Sequence, residues 1–241
     1  LYFVNEGLKV PKYGQAELVE AETSFTAYQE FQSMLTRDRI DIFMVGEFDD
    51  YQVLQALHRF PLEGRQVDLQ FSYSQPYVNV VKEKIEPRQS SQSILQLGYQ
   101  FPCQYGDKDY FALIVFNAMF GEFAHSALFT TLREKEGLAY SISSQFDIFT
   151  GLLEVYAGIE KSNRDQAMRG ISRELNYIKL GRFSSSLLNQ TKKIIRMNAL
   201  LSEDHALTLV EQRFNKVIFG DKSLSLENWL DEIEKDRKSV V

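Results

Sequence analysis

The spacing of apolar side chains changes period several times along this chain, and each change predicts an element. From Thr23 or Ser24 the positions Phe25, Tyr28, Phe31 and Leu35 recur at helical spacing, Ile40 to Val45 form a short apolar run ended by Gly46, and Asp49 to Phe60 resume helical spacing. This predicts helix, strand, helix, closed by Pro61. Residues 62–76 hold no sustained period, contain Gly64 and Pro76, and predict a linker. Beyond it Tyr77 to Ile85 alternates apolar with polar positions, and Ser93 to Tyr99 does so again before Pro102, so two strands are expected. Asp107 or Asp109 is placed to cap a helix running to Phe120.

The next stretch is the most informative. Ser126 suits an N-cap, Leu128, Phe129 and Leu132 keep helical spacing, and Gly137 stands where a helix would stop at positive φ. The period then drops to two: Tyr140, Ile142, Phe146 and Ile148 alternate with Ser141, Ser143, Gln145 and Asp147. Phe149-Thr150-Gly151 reads as a turn into Leu152 to Gly158, predicting a hairpin. Ser162-Asn163-Arg164-Asp165 resembles a capping box, with Ala167, Met168, Ile171, Leu175 and Ile178 forming an apolar stripe ended by Gly181. Helical spacing persists from Ser184 to Phe219 with a break signal at Ser202-Glu203-Asp204, which leaves one long helix or two, and a last helix begins near Ser225. Strands and helices so arranged predict an α+β fold.

Composition narrows the function classes. The 241 residues are 44% hydrophobic, enough for a sizeable core, and no apolar run approaches a membrane span. A formal charge of −6, with no Lys/Arg cluster interleaved with aromatics, argues against nucleic acid as a partner. The single cysteine, Cys103, excludes an internal disulfide and suits a reducing compartment, so a cytoplasmic location is expected. Because Leu1 stands in place of Met, the chain is expected to be part of a longer protein.

Candidate chemistry gathers at the helix-to-strand turn, where Arg133 and Tyr140 flank Gly137. A guanidinium fork there suits a peptide carbonyl or carboxylate, and a phenol suits an oxygen that becomes negative during acyl chemistry. The plainer alternative makes Arg133 a solvated last-turn residue favoured by the helix dipole and Tyr140, which shares parity with apolar neighbours, a core residue. Cys103 follows Pro102 with no motif around it and reads as structural. His58, His125 and His205 each stand alone, without a second histidine three or four positions away, so no metal site is expected. Asp49-Asp50 and the run Glu232 to Asp236 read as a helix start and solvated charge.

The run Leu128-Phe129-Thr130-Thr131-Leu132-Arg133-Glu134-Lys135-Glu136-Gly137-Leu138-Ala139-Tyr140 resembles the Arg/Tyr segment in the C-terminal half of insulinase/pitrilysin-type zinc metallopeptidases, relatives of mitochondrial processing peptidase. Tyr13-Gly14, the helix from Phe25 and Ile40 to Asp49 are similar to the close of that family's N-terminal half, and Phe116 to Gly121 sits where the second half has its first helix. Val115 to Gly121 with Ser126-Ala127-Leu128-Phe129 looks most like the bacterial subunits lacking the zinc motif. The resemblance implies a LuxS/mitochondrial-processing-peptidase-like metallohydrolase fold, an antiparallel sheet covered by helices on one face. It also implies three regions: 1–61, the end of a first lobe; 62–76, a linker; 77–241, a second lobe. Active relatives carry His-x-x-Glu-His, absent here. The implied function is the non-catalytic, substrate-binding part of a zinc-dependent peptidase, with Arg133 holding peptide and Tyr140 donating to the oxyanion. Zinc would be held elsewhere in the intact protein or by a homologous zinc-bearing subunit or homodimer partner. The alternatives are the C-terminal half of a single-chain zinc endopeptidase and a catalytically silent peptide-binding scaffold. No membrane partner is implied.

Overall fold

The computed structural model describes residues 13–60, 62, 80–87 and 89–235, and these fall into two compact units: positions up to 62 with 80–85, and positions from 86 onward. The first unit contains α1 (Ala16–Ala21), α2 (Ser24–Arg37) and α3 (Asp50–Leu57). Thr23 starts α2 through a capping box, its hydroxyl accepting from the Thr26 N–H at 3.2 Å while its own N–H donates to the Thr26 hydroxyl at 3.1 Å. Asp49 opens α3 by accepting from the Tyr51 and Gln52 N–H groups.

Two expected strands are not strands over their described residues. Ile40 to Val45 and residues 80–85 are irregular, while 77–79 and all of 62–76 but Leu62 lie outside the described residues. A strand exists only through a ladder with a neighbour, and no described residue of the first unit supplies one.

In the second unit β1 (Ser93–Gln100), β2 (Ala139–Asp147) and β3 (Leu152–Ile159) form an antiparallel sheet ordered β1-β3-β2. The β2–β3 hairpin turns at Phe149-Thr150-Gly151 as its sequence predicts. There the Asp147 carboxylate accepts from the Phe149 N–H at 2.9 Å and from the Thr150 hydroxyl at 2.7 Å.

Helices cover one face. α4 (Tyr110–Asn117) runs into a π-helical segment, Ala118–Glu122, and a second π segment spans Phe129–Lys135. A 3₁₀ turn, Lys161–Asn163, leads into α5 (Arg164–Lys179), followed by α6 (Ser185–Ser202), α7 (Ala206–Phe219) and α8 (Leu226–Glu234). The signal at Ser202-Glu203-Asp204 therefore separates two helices. Ser184 and Ser225 cap α6 and α8, accepting from the Leu187 N–H at 3.0 Å and the Asn228 N–H at 3.3 Å.

Two apolar clusters explain why α4 is hydrophobic on all sides. Leu113, Phe116 and Phe120 meet Ile142, Leu153, Val155 and Ala157 of the sheet together with Leu132, Ala167 and Ile171. On the opposite side Phe111, Val115 and Met119 meet Leu188, Ile195 and Ile233 of α6 and α8. Each fully buried large side chain contributes about 1.5–3 kcal/mol. The buried Lys192 ties the outer pair, its ammonium donating to the carbonyls of Glu234 at 2.9 Å and Lys235 at 2.6 Å at the end of α8. The other sheet face is small and polar, with rows such as Gln96, Tyr156 and Ser143, then Gly98, Glu154 and Gln145.

Candidate functional site

The turn bearing Arg133 and Tyr140 departs three times from regular geometry. The preceding helix begins as expected at the buried Ser126, whose hydroxyl accepts from the Phe129 N–H at 3.4 Å, but it widens into the π segment. At its end the Glu136 N–H reaches back five residues to the Thr131 carbonyl at 2.9 Å and the Leu138 N–H reaches Leu132 at 2.8 Å. Gly137 then turns the chain at φ +63°, a conformation that a side chain resists.

The third departure decides where Tyr140 points. Ala139 pairs with Ile159 and Ser141 with Gly158, so Tyr140 is the extra residue of a β-bulge. On a strict two-residue repeat it would share the buried face with Ile142. Instead Ala139 and Ile142 are buried while Tyr140 is 51% exposed, which overturns the core alternative for this residue.

The Tyr140 hydroxyl donates to Glu160 Oε1 at 2.7 Å. That bond to a carboxylate raises the phenol pKa above its ordinary value, because ionising it would lose the donor and set two negative groups face to face. Arg133 is exposed at the last turn of the π segment, its guanidinium 4.5 Å from the centroid of the Phe129 ring. The structure thus puts both predicted residues on one turn without bonding them to each other: Tyr140 holds Glu160 and Arg133 lies on Phe129.

Three further residues shape this turn. Arg173 of α5 donates to Glu136 at 2.6 Å and to the buried Glu174 at 3.0 Å, which fastens the turn to the helix behind it. Neither Glu160 nor this triad is evident from local spacing. The hairpin offered the one signal for Glu160: its short turn sets residue 140 opposite 158 and 159, one residue before Glu160.

Cys103 is buried, and desolvation first, then the charges of Asp107 and Asp109, push its thiol up to about 11, so it is not a nucleophile at neutral pH. His58 ends α3 and His205 precedes α7. His125 Nε2 lies 2.9 Å from the Thr191 hydroxyl, with its pKa lowered by burial. Among the described residues no three His, Cys, Asp or Glu side chains gather to hold a metal, so the donor set does not fit zinc. Nor is any described helix long and apolar enough to cross a membrane.

Residues 27–195 match the profile of the peptidase M16 inactive domain. The chain is 34% identical over 229 residues, 95% of its length, to the probable inactive metalloprotease YmfF of Bacillus subtilis, covering 54% of that protein. It is 23% identical to the uncharacterized zinc protease YmxG of the same organism, over 95% of this chain and 56% of that one. A crystal structure of a conserved protein from Enterococcus faecalis V583 superposes with a TM-score of 0.89 at 35% identity, over 98% of this chain and 56% of that one. The chain spans about half the length of the relatives it matches.

Proposed function

Since the chain belongs to the peptidase M16 family and its greater part matches that family's inactive domain, we propose that it is the non-catalytic, substrate-binding part of a zinc-dependent peptidase, supplying Arg133 and Tyr140 to a site whose metal is held elsewhere. On this reading residues 1–61 close a first lobe, 62–76 link, and 77–241 form a second lobe. One observation carries the proposal: the bulge delivers Tyr140 to the surface just after the turn that follows an exposed Arg133. A silent scaffold would have no need for either side chain to face outward.

This chain's own residues would bind and polarise. Arg133, with its planar fork, would hold a backbone carbonyl of an extended peptide, and Tyr140 would give its hydrogen to the oxygen that turns negative as the scissile carbonyl becomes tetrahedral. On this reading the partner is a homologous zinc-bearing subunit, and a single buried thiol suits the cytoplasm.

The test compares the full-length protein alone with the same protein mixed with a zinc-bearing homologue, on extended peptides. Only the mixture is expected to cleave, and Tyr140→Phe should lower its turnover on the order of a hundredfold. Metal-dependent cleavage by the protein alone would replace the two-component reading with that of a single-chain endopeptidase. Undiminished turnover of the Tyr140→Phe mixture would take Tyr140 out of the chemistry.

A further inference from the structure

A phenol has one hydrogen to give, and in this structure Tyr140 gives it to Glu160. Both ends of the bond are set by backbone. On one side the bulge at Ala139/Ser141 projects Tyr140 out of the ladder. On the other, Glu160 is the first residue after β3, extended at φ −73° and ψ 146°, with its carbonyl accepting from the Asn163 N–H at 2.9 Å to start the 3₁₀ turn. Neither partner needs the bond for burial, since both side chains are exposed, and no feature of the core depends on it. A bond kept at 2.7 Å between two exposed groups, one on β2 and one just past the end of β3, therefore orders the phenol more than it stabilises the fold.

We infer that Glu160 is the positioning residue for Tyr140: its carboxylate accepts the phenol's hydrogen and parks the ring in one orientation beside the sheet until a peptide carbonyl takes its place as acceptor. The inference rests on the peptide-binding role proposed for Tyr140. It assigns no contact with the reacting atoms to Glu160, which acts only through the tyrosine. Peptide engagement exchanges one acceptor for another at the same hydrogen, so the phenol is preorganised in direction and the change in bonding is confined to a single rotation of the hydroxyl.

The test has two arms. In the first, the full-length protein carrying tyrosine labelled with ¹³C at Cζ is titrated by NMR, with the Tyr140 signal identified by its loss in Tyr140→Phe. Glu160→Gln, which keeps size and an acceptor but removes charge, should lower the pH at which Tyr140 ionises and leave the other tyrosines unmoved. An unchanged Tyr140 titration overturns the inference. In the second arm, the mixture with the zinc-bearing homologue is assayed with Glu160→Ala, expected to lower kcat roughly tenfold or more through misorientation, and with Glu160→Ala added to Tyr140→Phe, where no further loss is expected. Equal losses in both backgrounds would make Glu160 a structural residue and overturn the inference. Wild-type turnover in Tyr140→Phe would instead refute the proposed role of Tyr140, and the ionisation arm would still decide whether Glu160 holds it.

Discussion

Arg173 of α5 and Glu136 of the helix-to-strand turn form an ion pair at 2.6 Å, and the same guanidinium reaches the buried Glu174 at 3.0 Å. One cation thus serves two carboxylates, one half in water and one inside. The exposed half alone is worth little, as surface pairs usually are. The turn between Arg133 and Tyr140 is fastened at its midpoint because the buried half fixes where the guanidinium sits.

Arg173→Leu is therefore expected to destabilise the protein by about 1–3 kcal/mol, since it strands the carboxylate of Glu174. Glu136→Gln, which removes only the exposed partner, should cost less than about 1 kcal/mol. Urea denaturation of both variants checks the order. Equal effects would show that the Glu174 pair carries nothing.

Gly121 lies where the first π segment meets β2. A Cβ there would stand 2.6 Å from Ser144 Oγ and 2.8 Å from the Ser144 backbone nitrogen, where the serine hydroxyl donates to Asn117 Oδ1 at 2.7 Å. Gly121→Ala should cost about 1–3 kcal/mol through overpacking and loss of that bond. Gly137→Ala meets open space and should cost about 1–2 kcal/mol from backbone conformation alone. Gly137→Asn, which tolerates positive φ better, should recover part of the loss only at the second site.

Arg133→Lys keeps the charge but loses the fork and the flat face over Phe129. In the two-component mixture it should raise KM several-fold, with thermal stability unchanged within about 0.5 kcal/mol. Wild-type kinetics would assign Arg133 to the Phe129 contact and nothing more.

Alkaline pH should weaken the second unit. Burial pushes the Cys103 thiol up to about 11 and the Tyr110 phenol up to about 12, from 9.0 and 10.0. Both raised values mean that the folded chain keeps protons that the unfolded chain releases. Their stabilisation is complete below pH 9, and it is lost as pH rises from 9 to 11 for the thiol and from 10 to 12 for the phenol, on the order of 2–3 kcal/mol each. Denaturation midpoints measured across pH 8–12 should fall accordingly, and Cys103 should resist a thiol reagent at pH 8 until the protein is unfolded.

Local chemistry was legible in the chain because its partners lie within a few residues. Thr23, Asp49 and Ser126 cap helices where expected, Ser184 and Ser225 cap the helices whose starts the spacing marked, Asp147 closes the hairpin turn and Gly137 turns the backbone, whereas Asp109 and Asn163 precede α4 and α5 without a side-chain cap bond. The segment around Arg133 and Tyr140 also pointed to the right family, because an Arg, a glycine stop and a Tyr at that spacing were already present in one stretch.

What periodicity misjudged was settled by pairing. Ile40 to Val45 has the composition of a strand but no described ladder, because a strand's hydrogen bonds belong to its neighbour. Parity placed Tyr140 inside, and one extra residue opposite β3 placed it outside, a register change no single strand can reveal. Glu160 lies 20 residues from Tyr140, and Arg173 lies 37 from Glu136. The sequence by itself determined the family and the starts of most described helices and of the β2–β3 hairpin; only the tertiary structure decided which apolar runs become strands, where Tyr140 faces and what holds it, because those bonds close across the sheet and α5 rather than along the chain.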